Sequence, residues 1–159
     1  MSAVMSPRLD IRAMQRGDLS AVAQIDKASY PYPWTRGIFQ DCLRVGYRCR
    51  VLINRGELAG YAIVSHALDE AHLLNICIHP DQRGGGLARL LLEHVIREAQ
   101  VGCADRLFLE VRPSNKPAVT LYKSCGFRVI GRRPGYYPAD QGREDAMVMV
   151  LHMDCGPER

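Results

Sequence analysis

The sequence has 159 residues, of which 47% are hydrophobic and 24% are charged, a composition typical of one folded domain. No run approaches the roughly 18 apolar residues that a membrane span requires. Residues 1–7 lack the basic and then apolar layout of a signal peptide. We therefore expect a cytoplasmic protein without a membrane partner. The net charge of +4 is too small to indicate a partner by itself.

The cysteines are scattered, with no Cys-x-x-Cys pair and no histidine pair at the spacing of metal ligands. Cys77 stands between Ile76 and Ile78, where a thiol behaves as a small hydrophobic group. We predict reduced cysteines, mostly in the core, and no metal; a disulfide framework is the alternative. The six are Cys42, Cys49, Cys77, Cys103, Cys125 and Cys155.

The first elements follow from periodicity and capping. Apolar and polar residues alternate over Leu9–Ala13, which predicts a strand. Asp18 is placed to cap the helix that follows it. The stretch Tyr30–Thr35 contains two prolines and three aromatic residues, so we predict a loop there and a short helix from Arg36.

The middle of the chain predicts three strands and a helix. Arg50–Ile53 and Leu58–His66 are expected to pair through a turn, and His72–Ile78 forms the next strand. Pro80 ends that strand. Apolar residues then recur at helical spacing over Leu87–Ala99.

The last part predicts the strand Leu107–Val111, a helix capped by Ser114 or Asn115, and the strands Arg128–Arg132 and Ala146–His152. This order of elements indicates a single α/β (α+β) domain, with a mixed central sheet flanked by helices. We place the domain at residues 9–152, with flexible ends at 1–8 and 153–159.

A glycine-rich segment lies between a predicted strand and the strongest predicted helix. Its sequence is Arg83-Gly84-Gly85-Gly86-Leu87-Ala88. Glycines let successive backbone N–H groups face one ligand, and a helix N-terminus favours an anion. Arg83 and Arg89 flank the segment and are candidates for charge-assisted contacts. The alternatives are a phosphate site and a plain loop.

The segment Asn75–Ala88 resembles the coenzyme A signature of the GNAT superfamily of N-acetyltransferases. Arg83, Gly86 and Ala88 fit the pattern Arg/Gln-x-x-Gly-x-Gly/Ala, and later segments such as Ala118–Phe127 strengthen the likeness. The resemblance implies the GNAT fold and acetyl-CoA as cosubstrate. It implies that the backbone of Ile76, Cys77 and Ile78 lines the pantetheine arm, that Gly84, Gly85, Gly86, Leu87, Ala88 and Arg89 hold the pyrophosphate, and that Asn115 bonds the pantetheine.

Two residues are candidates for proton transfer. Glu110 is a carboxylate inside an apolar strand, where it is either a surface residue of the strand edge or a general base. Tyr122 stands at an apolar helical position, where a tyrosine is usually part of the core. The family resemblance implies that Tyr122 returns a proton to the departing coenzyme thiolate. It also places Glu110 beside the acetyl-CoA site, which favours Glu110 as the base, acting directly or through one water.

Two segments that contain aromatic residues bear on the identity of the acceptor amine. Pro31–Thr35 and the run from Arg132 to Ala146 resemble the bacterial branch of the superfamily that acetylates the N-terminal alanine of a small-subunit ribosomal protein. The resemblance implies that Tyr32, Trp34 and Tyr137 contact that N-terminus, and we expect a monomer.

Other functions are open at this point. The alternatives are a GNAT enzyme that acetylates protein lysine or a small amine, and a non-catalytic acyl-CoA sensor, which would lack the base and the acid. An RNA-binding module predicts a basic stripe with interleaved aromatic residues. The arginines here are instead dispersed among acidic residues, so we expect no direct contact with nucleic acid.

Overall fold

Seven β-strands and four α-helices form over residues 8–154, the part of the chain that the computed structural model describes. The strands hydrogen-bond in the order β1-β2-β3-β4-β5-β7-β6, and they include both parallel and antiparallel pairs. The predicted mixed sheet with flanking helices is confirmed. In chain order the elements are β1 (Leu9–Ala13), α1 (Leu19–Ser29), α2 (Arg36–Arg44), β2 (Arg48–Asn54), β3 (Glu57–Ala67), β4 (Glu70–Ile78), α3 (Leu87–Val101), β5 (Arg106–Val111), α4 (Lys116–Ser124), β6 (Arg128–Pro138) and β7 (Arg143–His152).

The chain divides into two compact units, and β3, β4 and α3 contribute residues to both. The first unit comprises the described residues up to Val64 together with Asn75–Leu92. In it β1 pairs antiparallel with β2, and β2 pairs antiparallel with β3. Their inward-facing side chains form a core with α1 and α2 that includes Leu19, Val22, Phe39, Val51, Tyr61 and Ile63.

The two helices of this unit differ in how they begin. Thr35 caps α2, because its Oγ1 accepts a hydrogen bond from the N–H of Ile38 at 3.3 Å. Asp18 precedes α1, but its side chain makes no capping bond. Its carboxylate instead accepts hydrogen bonds from the Arg12 guanidinium at 2.8 Å and from the N–H of Gln15 at 2.8 Å. The predicted cap is therefore wrong, because the ion pair with Arg12 takes the same oxygens.

The second unit comprises Ser65–Leu74 and the described residues from Glu93 onward. In it β4 pairs parallel with β5, β5 pairs antiparallel with β7, and β7 pairs antiparallel with β6. The parallel register pairs Glu70 with Arg106 at one end and Leu73 with Leu109 at the other. Alternate residues of β5 and β7 face a core that includes Leu107, Leu109, Ala146 and Met149.

The last strand pair is longer than predicted. The strand predicted to end at Arg132 continues as β6 to Pro138, across Pro134 and Gly135, and β7 already starts at Arg143. The register shifts between Arg133 and Tyr137, which marks a bulge. Since β6 is the outer strand of the sheet, a proline and a bulge are tolerated there.

The described chain also continues past the predicted end of the domain at His152. The N–H of Met153 donates to the carbonyl of Asp105 at 2.8 Å, and the Met153 side chain is buried. The predicted flexible segments at residues 1–7 and 155–159 lie outside the described residues. Within the described residues, no helix combines the length and apolar character needed to cross a membrane.

Five cysteines fall within the described residues, and all five are free thiols. Cys42, Cys49 and Cys77 are buried, Cys125 is half-buried and Cys103 is exposed. Burial, and then the neighbouring Cys42, raise the pKa of Cys49 to about 11, so this thiol stays protonated and unreactive near neutral pH. Cys155 lies outside the described residues.

Candidate active site

The glycine-rich loop of the first unit has the backbone geometry of an anion cradle. Gly84 and Gly86 adopt φ angles of +86° and +82°, a region that favours glycine. A Cβ built on either residue would meet nothing within 4 Å. Helix α3 begins directly after the loop, and the N–H of Leu90 donates to the carbonyl of Gly86 at 3.1 Å. The loop therefore leaves open space at a helix N-terminus, where an anion is favoured.

Arg83, at the start of this loop, contacts the end of β4 and the end of α1. Its Nε donates to the carbonyl of Ile78 at 3.0 Å, and its Nη2 donates to Ser29 Oγ at 3.0 Å. The guanidinium thus fixes the path of the chain where β4 leads into the loop. Arg89 lies exposed in the first turn of α3.

The end of β4, which is predicted to line the pantetheine arm, contacts residues at the end of α1. The Tyr30 hydroxyl donates to the carbonyl of Ile76 at 3.2 Å, and Cys77 Sγ lies 3.1 Å from Ser29 Oγ. The register of β4 with β5 ends at Leu73, so Ile76, Cys77 and Ile78 lie outside that register. Strand amides that no neighbouring strand takes up can pair with the amides of an extended ligand.

The aromatic loop before α2 is held by a buried carboxylate that sequence reasoning missed. Asp26 is 1% exposed. It accepts hydrogen bonds from the Tyr61 hydroxyl, from Asn75 Nδ2 at 3.0 Å and from the N–H of Trp34 at 2.7 Å. Asp26 adjoins Ile25 on the buried face of α1, and this unusual place for a carboxylate was the available signal.

The two predicted acceptor residues of this loop differ in exposure. Tyr32 is exposed at the surface. Trp34 is half-buried, and its ring packs against Phe39 with 5.2 Å between the ring centroids. Trp34 therefore belongs partly to the core, while Tyr32 lies at the surface.

Glu110 lies on β5 of the second unit and is bound by two cationic or ionisable side chains. One carboxylate oxygen lies 2.7 Å from His72 Nε2, and the other lies 3.5 Å from Arg133 Nε. The Glu110 side chain is 9% exposed. Burial alone would raise the pKa of Glu110, but the hydrogen bond from His72 and the charge of Arg133 outweigh it and lower the pKa below its ordinary value.

Sequence reasoning missed His72 and Arg133 as the partners of Glu110. In the parallel register His72 stands opposite Phe108, which shares its face of β5 with Glu110. For His72 the signal was therefore the register between the two strands, because the residue is not unusual in its own segment. His72, Glu110 and Arg133 border a cavity of about 430 Å³ whose apolar wall includes Phe108 and Ile130.

Tyr122 and Tyr137 lie in the same unit as Glu110. Tyr122 is 7% exposed on α4 and packs against Phe127, with 5.6 Å between the ring centroids. Burial raises the pKa of Tyr137 above its ordinary value, and the charges of Tyr136, Glu110 and Tyr122 add to the effect. Tyr137, a predicted acceptor residue, thus interacts electrostatically with the predicted base and with the predicted acid.

Tyr137 is also held from its other side. The Arg112 guanidinium lies 4.4 Å from the centroid of the Tyr137 ring and 3.1 Å from a carboxylate oxygen of Glu144. Glu144 in turn accepts hydrogen bonds from the N–H and the hydroxyl of Ser114, each at 3.1 Å. Next to it, Asn115 Oδ1 caps α4 by accepting from the N–H of Ala118 at 3.4 Å.

Among residues 8–154 the structure contains no group of three or more His, Cys, Asp and Glu side chains that could hold a metal ion. The acidic and basic groups of the two units instead form pairs, such as His72–Glu110 and Arg112–Glu144. These pairs provide hydrogen-bond donors, acceptors and exchangeable protons.

Comparisons with known proteins point to one enzyme family. Residues 19–127 match the "Acetyltransferase (GNAT) family". The chain is 40% identical over 141 residues, 89% of this chain and 95% of the relative, to the [ribosomal protein bS18]-alanine N-acetyltransferase of Escherichia coli strain K12. It is 37% identical over 147 residues, 91% of this chain and 96% of the relative, to a protein named a putative enzyme of that kind in Bacillus subtilis strain 168. The crystal structure of the Escherichia coli ribosomal-protein-S18-alanine N-acetyltransferase superimposes with a TM-score of 0.87 at 38% identity, covering 95% of this chain and 97% of that chain.

Proposed function

The chain belongs to the GNAT family of acetyltransferases, and we propose that it moves the acetyl group of acetyl-CoA onto the N-terminal α-amine of a ribosomal protein that begins with alanine. The observation that carries this proposal is the identity of 40% over 95% of a relative named for that reaction. Since the matched region includes both the glycine-rich loop and Glu110, the likeness covers the cofactor region as well as the proposed base.

Binding of acetyl-CoA is assigned to the first unit and to Asn115. The backbone of Gly84 to Arg89 and the N-terminus of α3 would hold the pyrophosphate, while Ile76, Cys77 and Ile78 would present backbone groups to the pantetheine. The fit is supported by the open space at Gly84, Gly85 and Gly86, where a built Cβ meets no atom within 4 Å. When bound, acetyl-CoA supplies a thioester carbonyl that an uncharged amine can attack.

Proton transfer is assigned to two residues of the second unit. Glu110 removes a proton from the acceptor amine, either directly or through one water, and Tyr122 gives a proton to the departing sulfur. A thiol of ordinary pKa near 8.5 leaves as an anion, and a phenol of pKa near 10 can protonate it. No covalent intermediate on the protein is required, because the amine attacks the thioester itself.

The choice of an α-amine as the acceptor is supported by the ease with which it loses a proton. An α-amine has an ordinary pKa near 8, whereas a lysine side chain has one near 10.4. At neutral pH the α-amine therefore has the larger uncharged fraction, and a carboxylate-based site is sufficient for it. Tyr32, Trp34 and Tyr137 are proposed to contact the first residues of the acceptor, and small first side chains are expected to be preferred.

The test is incubation with acetyl-CoA and synthetic peptides, with mass spectrometry to locate the acetyl group. A peptide that begins with alanine should be acetylated at its α-amine faster than one that begins with a large residue. A peptide with a blocked N-terminus and free lysines should stay unmodified. Acetylation of the blocked peptide at a comparable rate would move the chain to the lysine-acetylating enzymes, and binding without any product would indicate an acyl-CoA sensor.

A further inference from the structure

Glu110 and His72 form a hydrogen-bonded pair, and the two side chains differ in their exposure to solvent. Glu110 Oε1 and His72 Nε2 are 2.7 Å apart, yet the Glu110 side chain is 9% exposed and the His72 side chain is 32% exposed. The imidazole is therefore the accessible end of the pair. A ligand that enters the 430 Å³ cavity bordered by both residues meets the imidazole more readily than the carboxylate.

The hydrogen bond decides which ring nitrogen can accept a proton. An ionised carboxylate only accepts hydrogen bonds, so His72 Nε2 must carry a hydrogen that it donates to Glu110. In a neutral imidazole the proton acceptor is then Nδ1. The second Glu110 oxygen faces Arg133 at 3.5 Å, so the carboxylate is held from both sides.

We propose that His72 is the relaying group through which Glu110 acts, so that the imidazole is the immediate proton acceptor and the carboxylate orients it. This inference rests on the proposed acetyl transfer. The ammonium form of the acceptor gives one proton to His72 Nδ1, and the neutral amine then attacks the thioester carbonyl. The carbon–sulfur bond breaks, and the thiolate takes the Tyr122 proton. Tyr122 regains a proton from the attacking nitrogen, and the His72 imidazolium releases its own to solvent.

The charges around His72 favour this division of roles. A carboxylate whose pKa lies below its ordinary value is a weak base for an amine, whereas histidine is the side chain that ordinarily exchanges protons near neutral pH. The imidazolium formed in the reaction faces Glu110 directly. Glu70, another acidic residue at the cavity, is engaged by Arg106 at 2.8 Å, and Arg133 is placed on the far oxygen of Glu110. The protonated ring thus lies against the ionised carboxylate of Glu110, with 2.7 Å between Nε2 and Oε1.

Two substitutions separate proton transfer from positioning. His72→Gln keeps an N–H donor that can hold Glu110 but cannot take a proton, and His72→Ala removes the ring altogether. Both should lower kcat for an alanine-terminated peptide by about 100-fold, the lower end of the usual contribution of acid–base groups. The peptide KM and the acetyl-CoA affinity should stay near wild type. Because the ring is one-third exposed, free imidazole should reach the vacated space and restore activity to His72→Ala.

The matched control is His66→Gln. His66 is an exposed histidine of β3 that bonds the carbonyl of Leu68, and its variant should keep wild-type kcat. Thermal unfolding of each variant establishes that it is folded. A wild-type kcat and pH profile in His72→Gln, or no response of His72→Ala to imidazole, would overturn the inference. An inactive wild-type enzyme on alanine-terminated peptides would instead contradict the proposed function.

Discussion

The backbone N–H of Trp34 donates to the buried carboxylate of Asp26 at 2.7 Å, which ties the aromatic loop to helix α1. The same carboxylate also receives the Tyr61 hydroxyl and the Asn75 amide. Three donors from three separate segments therefore depend on one acidic side chain. An aromatic loop held in this way can present Tyr32 to a ligand without a large loss of conformational entropy on binding.

We predict that Asp26→Ala destabilises the protein strongly. It leaves buried donors without acceptors, each of which costs roughly 1–3 kcal/mol, so we expect the free energy of unfolding to fall by about 3 kcal/mol. Urea denaturation measures the change. Asp41→Ala is the control, because Asp41 is exposed and pairs with the exposed Arg44 at 3.4 Å; its effect should stay within about 0.5 kcal/mol. Equal stability of the two variants would contradict the role of Asp26.

The glycine-rich loop can be tested against a glycine of the same backbone conformation elsewhere. Gly86 and Gly46 have φ angles of +82° and +87°, and a Cβ on either would meet nothing within 4 Å. Substitution by alanine therefore costs a similar strain of roughly 1–2 kcal/mol at both positions. Only Gly86→Ala should weaken acetyl-CoA binding, by about tenfold or more. Titration calorimetry that shows equal affinities for the two variants would argue against the loop as the phosphate site.

The sequence predicted most elements because their signals are local. Alternation predicted β1, a short apolar run predicted β5, and helical periodicity predicted α3, each within two residues of the observed bounds. The continuation of β6 past Arg132 was not predicted, since Pro134 and Gly135 normally end a strand. Their tolerance depends on the outer position of β6 in the sheet, which local sequence does not reveal.

The candidate site was predictable only in part, for a similar reason. Glu110 could be identified as a carboxylate in an apolar strand. Its partner His72 lies 38 residues earlier in the chain, and the contact follows from the parallel register of β4 with β5. Register depends on pairing between distant segments, so no pattern within either strand indicates it. Asp26 does carry a local signal, its place beside Ile25 on the buried face of α1, but its three donors come from three separate segments.

Tyr122 is predicted to act on a proton and not on binding. Tyr122→Phe keeps the ring against Phe127 but removes the hydroxyl, so turnover should fall by about 10²- to 10⁴-fold while acetyl-CoA affinity stays near wild type. Steady-state kinetics and calorimetry measure the two quantities. Tyr47→Phe, at an exposed tyrosine, should leave both unchanged. Wild-type turnover in Tyr122→Phe would remove this residue as the general acid.

Glu110 should also contribute to stability in a pH-dependent way. Its pKa in the folded protein lies below the ordinary value of 4.5, so its ionised form stabilises the fold above that pH. This contribution is lost as the pH falls through the lowered pKa. The difference in free energy of unfolding between wild type and Glu110→Gln should therefore shrink from about pH 5 to about pH 3. Glu57→Gln, at an exposed carboxylate, is the control. A difference that grows on acidification would contradict the assigned direction.

Tyr137 is expected to contact the acceptor peptide through its aromatic ring. Its ring lies over the Arg112 guanidinium at 4.4 Å, and Arg112 is itself fixed by Glu144, so the ring rather than the hydroxyl is the positioned feature. Tyr137→Phe keeps that ring and should leave the peptide KM near wild type. Tyr137→Ala removes it, and the KM should rise about tenfold, equivalent to about 1.4 kcal/mol of binding.

Acetyl-CoA affinity should be unchanged in both Tyr137 variants, because the proposed coenzyme contacts lie on other residues. Val129→Ala, a truncation of an exposed side chain on the same strand, controls for general weakening of β6. The charges of Glu110 and Tyr122 contribute to the raised pKa of Tyr137, so its removal can also affect the base and the acid. For this reason kcat should be measured together with KM. A rise in KM in Tyr137→Ala but not in Tyr137→Phe or Val129→Ala would identify the aromatic ring as the binding feature. Equal KM values in all three would remove Tyr137 from the acceptor site.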